Sequence, residues 1–269
     1  MRLKPGVTLQ IAQDVLVQAL REWENAYSNQ TWDRYNRAVS SVEKQLSRCF
    51  AEPDLGARLY EGHYWQLATM ATSMGFLQSV LVREIQQQIE TLELAQQELV
   101  HLQAYTKRPG TPVIYDTNML VHWRPPNEVK WTDVLRDEGV RTREVRLVVP
   151  LVVIDELDRQ KSGAGQLGER ASRAIRYLEG ALPGGEPGMP TEIRKGVTLE
   201  VRLDPLDHRR GDADMEILLC AAELDQLKPD GGTRVLSDDF GMHLRSQGLS
   251  LPAMRLPASY RKGASTANA

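Results

Sequence analysis

Four apolar runs in this chain each lead to acids. Val113-Ile114-Tyr115 runs into Asp116, and Leu147 to Ile154 runs into Asp155-Glu156. Val201-Arg202-Leu203 leads through a loop to Asp212-Ala213-Asp214, and Val235-Leu236-Ser237 ends on Asp238-Asp239. Asp116, Glu156, Asp214 and Asp239 are the candidate catalytic groups. Like charges gathered within a few ångströms raise one another's pKa and destabilise a fold, so a structural role explains all four together poorly. A divalent cation removes that penalty. An all-oxygen donor set without His or Cys suits a hard ion, Mg²⁺ or Mn²⁺, which keeps several of its waters. One or two such ions activate water and stabilise the charge developing at phosphorus, so the chemistry expected is phosphodiester hydrolysis. Asp212 and Asp238 stand beside the third and fourth acids and would share the ion. Taken singly each acid has an ordinary reading. Asp116, Asp212 and the Asp238-Asp239 pair suit helix caps, and Glu156 and Asp214 suit first turns. It is the recurrence at four run ends that points to a site.

Those runs must be strands whose carboxyl ends share one edge. Val113 to Tyr115 is short, partly β-branched and preceded by Pro109-Gly110 and Pro112, which reads as a buried strand. Arg146 to Leu151, Val197 to Leu203 and Thr233 to Ser237 read as further strands, and Leu251 to Leu256 as an edge strand. Helices are expected between them, over about Glu128 to Glu138, Leu167 to Leu178, Asp212 to Leu227 and Phe240 to Gln247. Thr117 or Asn118 suits the cap of a short helix after the first strand, and Pro150 the change from strand to helix. Gly180 to Gly196 holds five glycines and three prolines and is expected to be a loop. Alternation of strand and helix predicts a parallel sheet, and ligands bind outside the carboxyl ends of such strands.

Upstream, residues 1–108 are expected to form an all-helical region. Ile11, Val15, Leu16, Leu20 and Trp23 keep helical spacing, as do Trp32, Tyr35, Val39, Val42 and Leu46. A third helical stretch is expected near Leu59, with Tyr64, Trp65, Leu67, Ala68 and Met70, and a long one from Phe76 to Gln103. Ile85, Leu92 and Leu99 stand seven apart, which suits a seam against another helix of this chain or of a second copy. This region would recognise substrate, serve as a homodimer contact or bind a regulatory protein, roles the sequence leaves open. Residues 109–260 would form the catalytic domain and 261–269 a disordered tail.

The totals set bounds. A chain of 269 residues with a net charge of -3 carries no global field that advertises nucleic acid or membrane. Cys49 and Cys220 lie far apart, with no zinc spacing and no disulfide framework, which suits a reducing compartment. An amphipathic stretch follows the amino terminus, and no run approaches the ~18 apolar residues of a membrane span. The expectation is a cytoplasmic protein without a membrane partner.

The motifs carry a resemblance. Asp116-Thr-Asn118, the run Pro150-Leu-Val-Val-Ile-Asp-Glu-Leu-Asp-Arg-Gln-Lys161, Asp214-Met-Glu-Ile217 and Leu236-Ser-Asp-Asp239 resemble, in order and spacing, the four motifs of PIN-domain nucleases over about Pro112 to Leu256. The resemblance implies a three-layer α/β/α fold. It also implies a metal-dependent endoribonuclease that cuts single-stranded or structured RNA, leaving a 5′-phosphate and a 3′-hydroxyl. By position, Asp116, Glu156, Asp214 and Asp239 match the family's metal-site acids; Asn118 and Ser237, which stand within the first and fourth motifs, are expected polar substrate contacts. The family more often has Thr where Ser237 stands, and the hydroxyl is kept. The same carboxylates would serve a structure-specific DNA nuclease, and a PIN-like fold also serves as a non-catalytic module binding nucleic acid or protein.

An acidic site needs cations to hold a polyanion against it. Lys161, Arg170, Arg173 and Arg176 follow the second motif, the three arginines at a spacing that brings them near one helix face, while Arg209 and Arg210 precede the third. Such residues neutralise flanking phosphates and make binding salt-dependent; they equally suit a solvated helix face. Trp123, beside Pro125-Pro126, is the expected base-stacking residue.

Overall fold

The computed structural model describes residues 3–4, 6–50, 64, 67, 69, 77–163, 165–182, 188–204 and 211–263. The chain divides into two compact units, Met1–Lys107 and Arg108–Ala269. Among the described residues no helix is long and apolar enough to cross a membrane, and Cys49 and Cys220 are free thiols.

The first unit is helical. Helix α1 (Leu9–Ser28) and helix α2 (Trp32–Cys49) start on Thr8 and Thr31, whose hydroxyls accept from the amides of Ile11 and Arg34 at 3.3 Å. Helix α3 (Leu77–Lys107) packs along α1. Ala12, Leu16, Ala19, Trp23 and Ala26 of α1 meet Tyr35, Val39, Val42 and Leu46 of α2 in one core, where the Trp23 and Tyr35 rings stand 5.6 Å apart. Ile11, expected on that stripe, is exposed: the buried stripe runs Ala12, Leu16, Ala19, Trp23 and Ala26 at three-to-four spacing, and Ile11 lies one position off it. Ile85, Leu92 and Leu99 are buried in the same core, so the seven-residue stripe is satisfied by helices of its own chain. Of the third expected helix, Tyr64, Leu67 and Thr69 are helical and the rest lies outside the described residues.

The second unit is built on a six-stranded sheet of order β3-β4-β2-β1-β5-β6. Its strands are β1 (Thr111–Tyr115), β2 (Val145–Pro150), β3 (Thr191–Arg194), β4 (Val197–Arg202), β5 (Arg234–Leu236) and β6 (Ala253–Met254). All pairings are parallel except β3 with β4. Strands β1 and β2 are buried at every position, as a sheet covered on both faces requires. Gly110, at φ +94°, launches β1 so close to β2 that a Cβ there would stand 3.0 Å from the Glu144 carbonyl oxygen. Helices α4 (Thr117–His122), α5 (Trp131–Asp137), α6 (Leu151–Lys161), α7 (Gln166–Ala181), α8 (Ala213–Leu227) and α9 (Phe240–Gly248) connect the strands.

The mixed, mostly parallel sheet flanked by helices, with a region before it that is mainly helical among the described residues, is the expected fold class. Two details differ. Thr191–Arg194 lies inside the expected glycine-rich loop yet forms β3, a hairpin partner of β4 that turns at Gly196 (φ +73°). Alternation in four residues is too short to stand out beside glycines and prolines. Residues 261–263, expected to begin a disordered tail, are folded. Arg261 bridges to Trp123, and the Lys262 ammonium donates to the carbonyls of Leu120 and Val121 at 2.9 and 3.0 Å. Positions 264–269 lie outside the described residues.

Candidate active site

Strand β1 is the pivot of the sheet. The chain runs outward from it through β2 to β4 on one side and returns to β5 and β6 on the other, which puts the switch point of the topology at the carboxyl end of β1. The residue delivered there is Asp116. It occupies the N-cap position of α4, is 4 % exposed, and its backbone amide donates to the Leu236 carbonyl at 3.1 Å.

The Asp116 carboxylate accepts from the Ser237 hydroxyl at 2.6 Å. That hydroxyl in turn accepts from the Asp239 amide at 3.1 Å, so one fully buried side chain ties the ends of β1 and β5. Burial lifts the pKa of Asp116, the Ser237 hydrogen bond and the Asn118 amide pull it back, and the charges of Asp214 and Glu156 lift it again. Asp116, Glu156 and Asp214 are therefore brought within electrostatic reach of one another, from β1, α6 and α8.

Each acid is also held by a protein donor. Glu156, on the second turn of α6, accepts from the Thr117 hydroxyl, and Asp214, in the first turn of α8, pairs with Arg245 of α9. Asp239 is the cap of α9, accepting from the Gly241 amide at 2.6 Å, the ordinary reading of that residue. Asp238 faces Arg255 at 3.8 Å. Asp212 sits at the N-cap position of α8 and lines a cleft of about 550 Å³ with Asp155, Glu156 and Arg159. Thr117 and Asn118 do not cap α4, whose N-cap position falls on Asp116 itself.

Among the described residues no group of three or more His, Cys, Asp or Glu side chains is arranged to hold a metal ion. The donor chemistry nevertheless fits a hard cation: every candidate ligand is a carboxylate, and the causes acting on Asp116 include two carboxylates and no cation.

The expected substrate contacts divide. Asn118 is exposed on the first turn of α4, and Arg173 and Arg176 are exposed on α7. Arg170 donates to Nδ1 of His122 at 3.2 Å, and burial and the neighbouring cations lower the pKa of that imidazole. Lys161 pairs with Asp158 on its own helix. Trp123 is 4 % exposed, so its ring offers no face to a base; the isolated bridge to Arg261 closes the chain over it. Arg209 and Arg210 lie outside the described residues. Arg245 carries no sequence signal, since it lies on another helix than the acid it holds. Thr117 does, inside the first motif, as does Asp155 beside Glu156.

A family model described as PIN domain matches residues 113–256. No curated protein matches the chain. Among solved structures, one described as "A domain of a functionally unknown protein from Methanocaldococcus jannaschii DSM 2661" is 15% identical, covering 55% of this chain and 93% of that one at a TM-score of 0.35. The family match runs over more than half of the chain, from β1 to just past β6, and takes in every candidate acid. The chain belongs to the PIN-domain family, whose members are in general nucleases that use divalent metals.

Proposed function

We propose that this protein is a metal-dependent endoribonuclease that hydrolyses phosphodiester bonds of single-stranded or structured RNA at the acidic edge of its sheet. The observation that carries the reading is Asp116, a buried carboxylate at the switch point whose pKa is lifted by burial and by Asp214 and Glu156. Held by Asp116, Glu156 and Asp214, with Asp212, Asp238 and Asp239 beside them, Mg²⁺ or Mn²⁺ would activate water and neutralise charge at phosphorus.

The chain's own groups do the rest. Ser237 orients Asp116 and favours its ionised form. Glu156 joins the ion-binding set or orients the attacking water, which requires it to leave Thr117, as Asp214 must leave Arg245. Asn118 contacts the strand, and Arg170, Arg173, Arg176 and Lys161 bind flanking phosphates. A second reading, a PIN domain that binds nucleic acid or protein without cutting, is favoured by the protein donors that already engage Asp116, Glu156, Asp214 and Asp239.

One experiment separates these readings. Labelled single-stranded RNA and matching DNA are incubated with the full chain in Mg²⁺, Mn²⁺ or EDTA, beside Asp116→Asn. Metal-dependent RNA cuts that vanish in the variant are expected. Cutting of DNA alone would make it a DNA nuclease, and cutting of neither strand would leave the binding module. In the same series, Gln at Arg170, Arg173 and Arg176 lowers the slope of log affinity against log salt by roughly 0.7 for each single-strand phosphate that is no longer neutralised.

A further inference from the structure

Beyond the acidic edge, the second unit holds a separate pocket of about 410 Å³, a size typical of small-ligand sites. Two kinds of surface meet in it. Pro125, Pro126 and the ring of Tyr177 supply flat apolar wall, and Arg170, Arg173 and Lys262 supply three cations from α7 and the carboxyl-terminal segment. No carboxylate is ion-paired to these three among the described residues. Glu128 is the acid that bears on Lys262, and burial together with Arg173 and Arg170 lowers the ammonium's pKa to about 8. A cluster of cations under mutual repulsion, built beside a dry wall, is complementary to an anion that carries a flat ring.

The pocket is also placed relative to the acids. Helix α4 starts directly after Asp116 and runs through six residues, a rise of about 9 Å at 1.5 Å per residue. Its far end is where Lys262 grips the carbonyls of Leu120 and Val121 and where Arg170 meets His122. A nucleotide adjacent to the bond being cut would lie at that distance along an extended strand.

We propose that this pocket binds one nucleotide of the substrate strand next to the cut, its base against Pro125, Pro126 and Tyr177 and its phosphate on Arg170, Arg173 and Lys262. The assignment rests on the nuclease reading for its role, and it names a subsite that the four acidic motifs do not predict. Because the site needs no metal, it can be tested with the acidic edge disabled.

The test is a titration of the full chain, in EDTA, with uridine 5′-monophosphate, adenosine 5′-monophosphate, inorganic phosphate and uridine, followed by calorimetry. A nucleoside monophosphate is expected to bind at least tenfold more tightly than either phosphate or uridine alone, and equally well to Asp116→Asn. Arg173→Gln, an exposed change on α7, and Tyr177→Leu should each weaken it severalfold. Because Lys262 holds α4, Lys262→Met is read only beside its melting curve, and Arg173→Gln stands in its place if that variant unfolds. Affinity should fall as pH rises through 8, as Lys262 loses its charge among Arg170, Arg173, Arg261, His122 and Glu128. Nucleotide binding no tighter than phosphate, or unmoved by Arg173→Gln and Tyr177→Leu, overturns the subsite. Binding without cleavage of RNA or DNA overturns the nuclease reading and leaves the nucleotide site standing; cleavage without nucleotide binding does the reverse.

Discussion

Glu200 and Asp116 are both carboxylates buried beside strands of one sheet, yet they are kept in opposite company. Glu200, 0 % exposed in β4, sits between Arg146 of β2 and Arg108, with Arg202 of the same strand paired to Glu223 at 2.8 Å. Val148 pairs with Glu200 in the register, so Arg146 lies two residues away on the same face, the diagonal neighbour that long side chains reach. Around Asp116 the charged neighbours are Glu156 and Asp214, and the donor is a neutral serine. The first cluster is balanced by the protein; the second is left short of positive charge at the edge where parallel sheets bind ligands. The difference separates charges that hold the fold from charges that await a partner.

Substituting one member of each cluster should therefore give opposite phenotypes, and these are the largest effects expected. Glu200→Gln leaves Arg146 buried beside a neutral amide and should destabilise the second unit by about 3–5 kcal/mol. Asp116→Asn should lower cleavage by at least roughly a hundredfold while the metal-free protein melts no lower than wild type. The sign follows from the raised pKa. The folded state binds a proton on Asp116 more tightly than the unfolded chain, so stability falls as pH rises above the ordinary value of 3.8 and the penalty is complete above the folded pKa. Asn removes that penalty and keeps an acceptor for Ser237. A melt of Asp116→Asn well below wild type would make Asp116 a structural cap and erase the contrast.

Ser237 tests the contrast more finely, because it is what the fold supplies to Asp116 in place of a cation. Ser237→Ala removes the hydroxyl that bridges Asp116 and the Asp239 amide and should cost about 1–3 kcal/mol. It should also raise the pKa of Asp116 further, since the missing hydrogen bond is one that lowers it, and move the acidic limb of the cleavage profile to higher pH. Ser237→Thr, which restores the hydroxyl, should restore both. A profile that does not move in Ser237→Ala would detach Asp116 ionisation from activity.

What the bare chain reveals follows the same divide. Asp116, Glu156 and Asp214 announce themselves because each follows an apolar run, and a parallel sheet converts that local pattern into a common edge. Ser237 is visible for the same reason. The long-range contacts around them are not: Arg245 meets Asp214 across 31 residues, and Lys262 reaches α4 across 142, separations set by packing and by no local spacing. Trp123 misleads because a tryptophan beside two prolines suits an exposed loop, whereas the segment Ala258–Tyr260 and Arg261 folds back over it. Ile11 misleads in the helical unit because the buried stripe of α1 is centred one residue later, on Ala12, Leu16, Ala19, Trp23 and Ala26, which the largest apolar side chains alone do not mark.

The smallest effect expected concerns Arg245, and it decides how the two clusters differ in kind. Its pair with Asp214 is half exposed, so removing it should change stability by about 0–1 kcal/mol, unlike any change at Glu200. If Asp214 belongs to the cation site, Arg245 competes with the ion for it. Arg245→Gln should then tighten Mn²⁺ binding severalfold in calorimetry and lower the metal concentration needed for half-maximal cleavage. The alternative is that Arg245 orients Asp214 toward the site, in which case the same substitution weakens Mn²⁺ binding. Competition is the expected result, because the guanidinium occupies the oxygen that a metal would use and repels a cation at short range. Weaker binding would mean that the acidic edge, like the Glu200 cluster, depends on its own arginine.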